Sequence, residues 1–237
     1  MVKITNYTKI YAKTKKAVDN ISFDVKPGEI FGFIGHNGAG KTTTIKSMVG
    51  ILDFEEGEIL IDGKDIKKEP IECKKILAYI PDNPEIYDQL KAIEYLNFIA
   101  DIYEVPQKDR EERINKYAKM FEIYDQLGNI ISSYSHGMKQ KLVIISALIH
   151  EPKLLVLDEP FVGLDPKSVF VLKGIMQEMC EKGSSIFFSS HVLEVVEKLC
   201  HRIAIIKNGK LIKYGLTDEI KGDSSLESVF MEMTNNE

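Results

Sequence analysis

The segment Gly35-His36-Asn37-Gly38-Ala39-Gly40-Lys41-Thr42 is the part of this sequence best equipped for chemistry. It matches the phosphate-binding P-loop pattern, Gly-x-x-x-x-Gly-Lys-Thr or Ser. Glycines let a backbone wrap closely around phosphate oxygens. Successive backbone N–H groups, and the N-terminus of the helix that follows, then face the anion. In that arrangement Lys41 reaches the β- and γ-phosphates of a nucleotide, the Thr42 hydroxyl ligates Mg²⁺, and Thr43 adds a phosphate contact. The plainer alternative is a glycine-rich turn that only joins a strand to a helix. That alternative leaves Lys-Thr at the helix start without a packing purpose.

A second segment, Leu154-Leu155-Val156-Leu157-Asp158-Glu159-Pro160, is an apolar run that ends abruptly in two carboxylates. In open α/β sheets the ligand crevice lies at the carboxyl ends of the strands. Asp158 is then placed to hold Mg²⁺ through water, and Glu159 to orient and deprotonate an attacking water. Two adjacent acids at a strand end, taken alone, read more simply as an exposed turn. Beside a P-loop they read as the catalytic pair.

With a third segment the residues resemble a family, the ATPase subunits of ABC transporters. Tyr134-Ser135-His136-Gly137-Met138, followed by Lys139-Gln140, is similar to that family's Leu-Ser-Gly-Gly-Gln signature. Tyr, His and Met replace three of its residues, but the Ser and the second Gly remain. The likeness extends over about Val2 to Thr234, with the motifs in the family's order. It implies that Ser135 and the Gly137 N–H, at a helix N-terminus, grip the γ-phosphate of an ATP bound to a second subunit. Ser135 as an ordinary N-cap is compatible with this role. Two motor domains, as a homodimer or a heterodimer, would thus sandwich two ATP molecules.

The resemblance implies further roles. Gly163-Leu164-Asp165-Pro166 corresponds to the D-loop at the dimer interface, and it also reads as a turn with Asp165 as N-cap and Pro166 at the first helical position. His191 corresponds to the switch histidine that contacts the γ-phosphate. Tyr11 corresponds to the adenine-stacking aromatic, with Tyr7 as its rival. Asp82 stands where the family usually has Gln; as a hard oxygen donor it is a candidate Mg²⁺ ligand, and its role stays open. A groove near Asp82–Leu90, with Ile86 and Tyr87, would receive a short helix from a separate transmembrane permease subunit. The ending Ser225-Leu226-Glu227-Ser228-Val229-Phe230 and the Tyr-Ser-His-Gly-Met signature are similar to those of drug, antibiotic and polysaccharide exporters. The expected function is therefore ATP hydrolysis that powers transport, in the export direction, through membrane subunits. The alternative is a division-type or soluble ATPase switch of the same fold. A guanine-nucleotide reading lacks an Asn-Lys-x-Asp motif.

The elements that must position these residues are legible as patterns. Ile30–Ile34, Leu154–Leu157, Ile186–Phe188 and Ile203–Ile206 are short apolar runs bounded by turn residues, as buried parallel strands are. Asn208-Gly209 joins the last of them to Leu211–Tyr214 as a hairpin. Val169, Leu172, Met176 and Met179 form one helical stripe, and Val192, Val195, Val196 and Leu199 another. Val18–Val25 and Glu58–Asp62 alternate like half-buried strands. Between Tyr87 and His150 the periodicity is mainly helical, and Leu142–Ile149 is apolar nearly all round.

These patterns give an α/β fold, doubly wound with a mostly parallel sheet. The resemblance makes it a P-loop NTPase with a RecA-like core, an antiparallel β subdomain and an inserted α-helical subdomain. We expect one domain over 1–237, with the core in 1–81 and 151–237 and the helical subdomain, carrying the signature, in 82–150. A chain of 237 residues that is 44% hydrophobic can bury such a core. The net charge of −5 gives no footprint for nucleic acid. Cys73, Cys180 and Cys200 have no metal or redox spacing. No apolar run approaches a membrane span. The expected location is the cytoplasmic face of the cell membrane, reached through the permease.

Overall fold

The computed structural model describes residues 1–12, 15–84 and 86–235. The chain opens with strands β1 (Val2–Tyr11), β2 (Lys15–Val25) and β3 (Ile30–Ile34), then helix α1 (Lys41–Met48). Strands β4 (Glu56–Ile61) and β5 (Lys64–Asp65), helix α2 (Pro70–Ile76) and strand β6 (Leu77–Ile80) follow. Three helices come next: α3 (Ala92–Ile102), α4 (Gln107–Met120) and α5 (His136–Leu148). Strand and helix then alternate through β7 (Leu154–Asp158), α6 (Pro166–Glu181), β8 (Ser185–Ser190) and α7 (Leu193–Leu199). The chain ends with the hairpin β9 (Arg202–Lys207) and β10 (Lys210–Leu216) and the helices α8 (Thr217–Lys221) and α9 (Leu226–Asn235).

The larger sheet has the order β10-β9-β3-β8-β7-β6, parallel except for β10. Every residue of β3, β7 and β8 is buried, because helices or a second sheet cover both faces. The smaller sheet, β2-β1-β4-β5, is antiparallel. It packs with α1 on one face of the larger sheet, where Phe31 stacks between Phe23 and Phe187 at 5.4 Å on each side. Helices α3 to α7 fill the other face. There α7 lies close on β3, because a Cβ at Gly32 would stand 2.8 Å from Cys200 Sγ and 2.9 Å from Val196 Cγ1.

One expected stripe is shorter than the sequence suggested. Val192 stands before the first turn of α7 with a non-helical backbone and is 41% exposed. Leu142 to Ile149, by contrast, are all buried.

Candidate functional site

Strand β3 delivers the glycine-rich loop to the carboxyl edge of the sheet. Gly40, at φ +112, turns the chain into α1; a Cβ there would be strained and would stand 2.8 Å from the Ala17 carbonyl. The Thr44 hydroxyl donates to the Gly40 carbonyl at 2.9 Å. Lys41 is buried and its ammonium donates to the carbonyls of Gly35 at 2.7 Å and His36 at 3.3 Å. The same ammonium is 3.6 Å from Glu159 Oε1. A folded-back lysine held on loop carbonyls can exchange them for phosphate oxygens.

Strand β7 ends at Asp158, paired in register with Ser189 of β8. The Ser189 hydroxyl donates to Asp158 Oδ1 and accepts from the Glu159 N–H at 3.1 Å. Burial raises the pKa of Asp158; hydrogen bonds from Ser189 and Thr42 oppose that rise, and the charges of Asp82 and Glu159 add to it. Asp158 Oδ2 and Glu159 Oε1 are buried with no hydrogen-bond donor. Orphaned acceptors beside a threonine hydroxyl are the oxygen chemistry that Mg²⁺ requires, so these residues fit that ion. Glu159 takes a positive φ of 47, which turns its side chain off the strand axis. Its Oε2 accepts from the His191 N–H at 3.3 Å and lies 2.9 Å from His191 Nδ1.

Around these groups opens a cleft of about 880 Å³, lined by Tyr11, residues 36–38 and 40–43, Asp82, Asp158 and Glu159. Lys16, Ala17 and Asn208, which the sequence did not single out, complete the wall. Tyr11 is 41% exposed at the rim. Its rival Tyr7 is fully buried, with its hydroxyl on Ser47 Oγ at 2.8 Å, and offers no face to a base. Gly35 and Ala39 are buried beneath the loop, where a Cβ on Gly35 would stand 2.4 Å from the Ile206 carbonyl. Asp82 lies on the cleft wall and accepts from its neighbour Asn83 N–H at 2.9 Å. Among the described residues it forms no three-membered ligand group with Asp158 and Glu159.

Ser135 and Gly137 do not line this cleft. Ser135 caps α5, accepting from the Met138 N–H at 3.3 Å. Asp165 likewise caps α6 through the Ser168 N–H, with Pro166 at the first turn. The two starts are fastened together: Lys141 pairs with Asp165 at 2.7 Å, and a Cβ on Gly137 would stand 2.8 Å from the Gly163 carbonyl. Their glycines permit this approach.

This phosphate loop, acidic strand end and capped α5 define an ATP-hydrolysing P-loop domain. The sequence profile described as ABC transporter matches residues 18–162, and the chain belongs to that family. It is the ATP-binding and hydrolysing subunit of an ABC transporter. Among its relatives is the ABC-type transporter ATP-binding protein EcsA of Bacillus subtilis, 34% identical over 91% of this chain and 89% of its own length. The bacitracin transport ATP-binding protein BcrA of Bacillus licheniformis is 36% identical over 93% of this chain and 71% of its own. A solved ATP-binding subunit of an ABC transporter superposes with a TM-score of 0.95 at 32% identity, covering 99% of both chains. No helix among the described residues is long and apolar enough to cross a membrane.

Proposed function

We propose that two copies of this chain close head to tail over two ATP molecules. Residues 35–43 of one copy hold the phosphates, and Ser135 with the Gly137 N–H of the other copy completes the grip. The observation that carries this reading is a split in the site. Lys41, Asp158 and Glu159 line one cleft and His191 is joined to it through Glu159, whereas the α5 cap lies elsewhere on the same chain. The chain holds both halves of the composite site, which favours a homodimer. Thr42 and Asp158 would hold Mg²⁺, with Asp82 on the same cleft wall as a third candidate ligand; the bound ion would supply charge neutralisation at the phosphoryl oxygens.

Glu159 accepts a proton from water as the water oxygen bonds to the γ-phosphorus. The bond to the β–γ bridging oxygen breaks, and its electron pair leaves with ADP. Lys41 neutralises charge on the phosphates, and His191 fixes the Glu159 carboxylate. Catalysis of this kind rests on positioning and electrostatics. Tyr11 stacks on the base, which gives affinity with little base discrimination. Loss of the bridging phosphate reopens the dimer.

Residues 82–150 act as the arm that carries the signature and receives the permease. The groove beside Pro84, Ile86, Tyr87, Asp88 and Lys139 is its docking site, at the cytoplasmic face of the membrane; Glu85, within that stretch, lies outside the described residues. We assign the direction as export, from the form of the signature and tail and from the likeness to a bacitracin transport protein.

The test is Glu159→Gln. It is expected to bind ATP, to lose about 100-fold or more of turnover, and to remain dimeric with ATP by size-exclusion chromatography. Turnover at the wild-type rate would remove Glu159 from the role of base.

A further inference from the structure

The C-terminal helix α9 reaches the nucleotide loop. Its Leu226 and Phe230 are buried in the main core with Val196 and Leu199 of α7. The Leu226 N–H donates to Glu197 Oε2 at 2.9 Å, and Glu197 also pairs with Lys221 of α8 at 3.4 Å. Phe230 extends from this packed base to His36, with ring centroids 4.9 Å apart and planes inclined by 57°. His36 is the second residue of the phosphate loop.

The two halves of that loop are supported differently. The later half is tied to the body of the protein, since the Gly209 N–H donates to the Ala39 carbonyl at 2.9 Å and Gly40 abuts Ala17. In the earlier half Gly35 is packed against Ile206, but residues 36–38 beyond it are exposed, and a Cβ on Gly38 would meet nothing within 4 Å. Among the described residues the His36 carbonyl takes bonds only from within the loop, the Ala39 N–H at 3.1 Å and the Lys41 ammonium at 3.3 Å, and a glycine-rich segment held so has conformations to lose when it closes on phosphate. The His36 ring adds an anchor from outside the loop, and Phe230 is what it rests on. Helix α7, the other support of α9, starts two residues after His191, so α9 touches both the phosphate loop and the element that follows His191.

We propose that Phe230 is a positioning residue for ATP: through His36 it holds the first half of the phosphate loop in its phosphate-binding shape. The proposal rests on residues 35–42 being the nucleotide loop. An anchor of this kind supports ground state and transition state alike, so its loss raises KM and spares kcat.

The experiment is a double-mutant cycle on the full chain, read as KM for ATP, kcat and nucleotide-free Tm. Phe230→Ala and His36→Ala are each expected to raise KM about three- to tenfold, the range of one aromatic contact. The double variant is expected to be no worse than either single one. His36→Phe, which keeps a ring on Phe230, is expected to raise KM less than His36→Ala does. Phe230→Leu preserves apolar volume in the core and carries the cycle if Phe230→Ala does not fold; its KM is expected to rise. Effects that multiply in the double variant, or a Phe230 variant with lowered Tm and wild-type KM, overturn the proposal. A wild-type chain that bound no Mg·ATP would instead overturn the assignment of the loop.

Discussion

Ser189 serves both acids of the site at once. Its hydroxyl donates to Asp158 and accepts from the Glu159 backbone, so one side chain sets the carboxylate and the turn that follows it. Ser189→Ala leaves a buried carboxylate oxygen without its donor, which costs about 1–3 kcal/mol. We expect turnover to fall about 10–100-fold, as for other groups that orient metal ligands, with Tm lowered; steady-state kinetics and a melting curve check both. The sequence exposed Lys41 because Lys-Thr at a helix start has no packing purpose, and Asp158 and Glu159 because they share the chain with a phosphate loop. Ser189 carried no such mark. Its role comes from pairing β7 with β8 in one register, a long-range fact that local pattern does not contain. Lys16 and Asn208 join the cleft wall by similar non-local routes.

At the scale of elements, the buried strands were legible because both faces are covered, which turns them into continuous apolar runs. Helix α5 was legible for the same reason. Helix α2 was not, since Cys73 is its one buried residue and no stripe forms. The end of α5 also holds a pH-sensitive joint. His150 stacks on Tyr103, which follows α3, at 3.6 Å, and its Nε2 lies 3.3 Å from the Leu77 carbonyl of β6. Burial lowers its pKa to about 4, aided by the charge of Arg113, while the contact with Leu77 opposes the shift. Nδ1 is buried without a partner, so a proton there would add an uncompensated charge. The unfolded chain takes up that proton near pH 6.5, and the folded chain only near pH 4. Stability is therefore lost as pH falls through this interval, by at most about 3 kcal/mol. Chemical denaturation at pH 7 and pH 4.5 measures the loss, and His150→Asn is expected to reduce it.

At the scale of the whole molecule, the separation of the α5 cap from the cleft makes a prediction about pairs of chains. In the proposed head-to-tail dimer, Lys41→Ala spoils one half of each composite site, and Ser135→Arg spoils the other. Homodimers of either variant have a defect in every site. A mixed dimer has one site with both halves intact. Mixing the two inactive proteins is thus expected to restore ATP hydrolysis that neither shows alone, and a mixture no more active than its components would refute the shared-site arrangement. A last consequence concerns synthesis on the ribosome. The phosphate loop precedes Gly209 by about 170 residues, yet Ala39 is tied down by that glycine, and the flanking strand β3 lies between β8 and β9 in the sheet. A nascent polypeptide therefore carries an unfinished nucleotide pocket until Gly209 has been translated. Chains arrested before Gly209 should emerge unable to retain ATP, so a partly made motor cannot consume fuel.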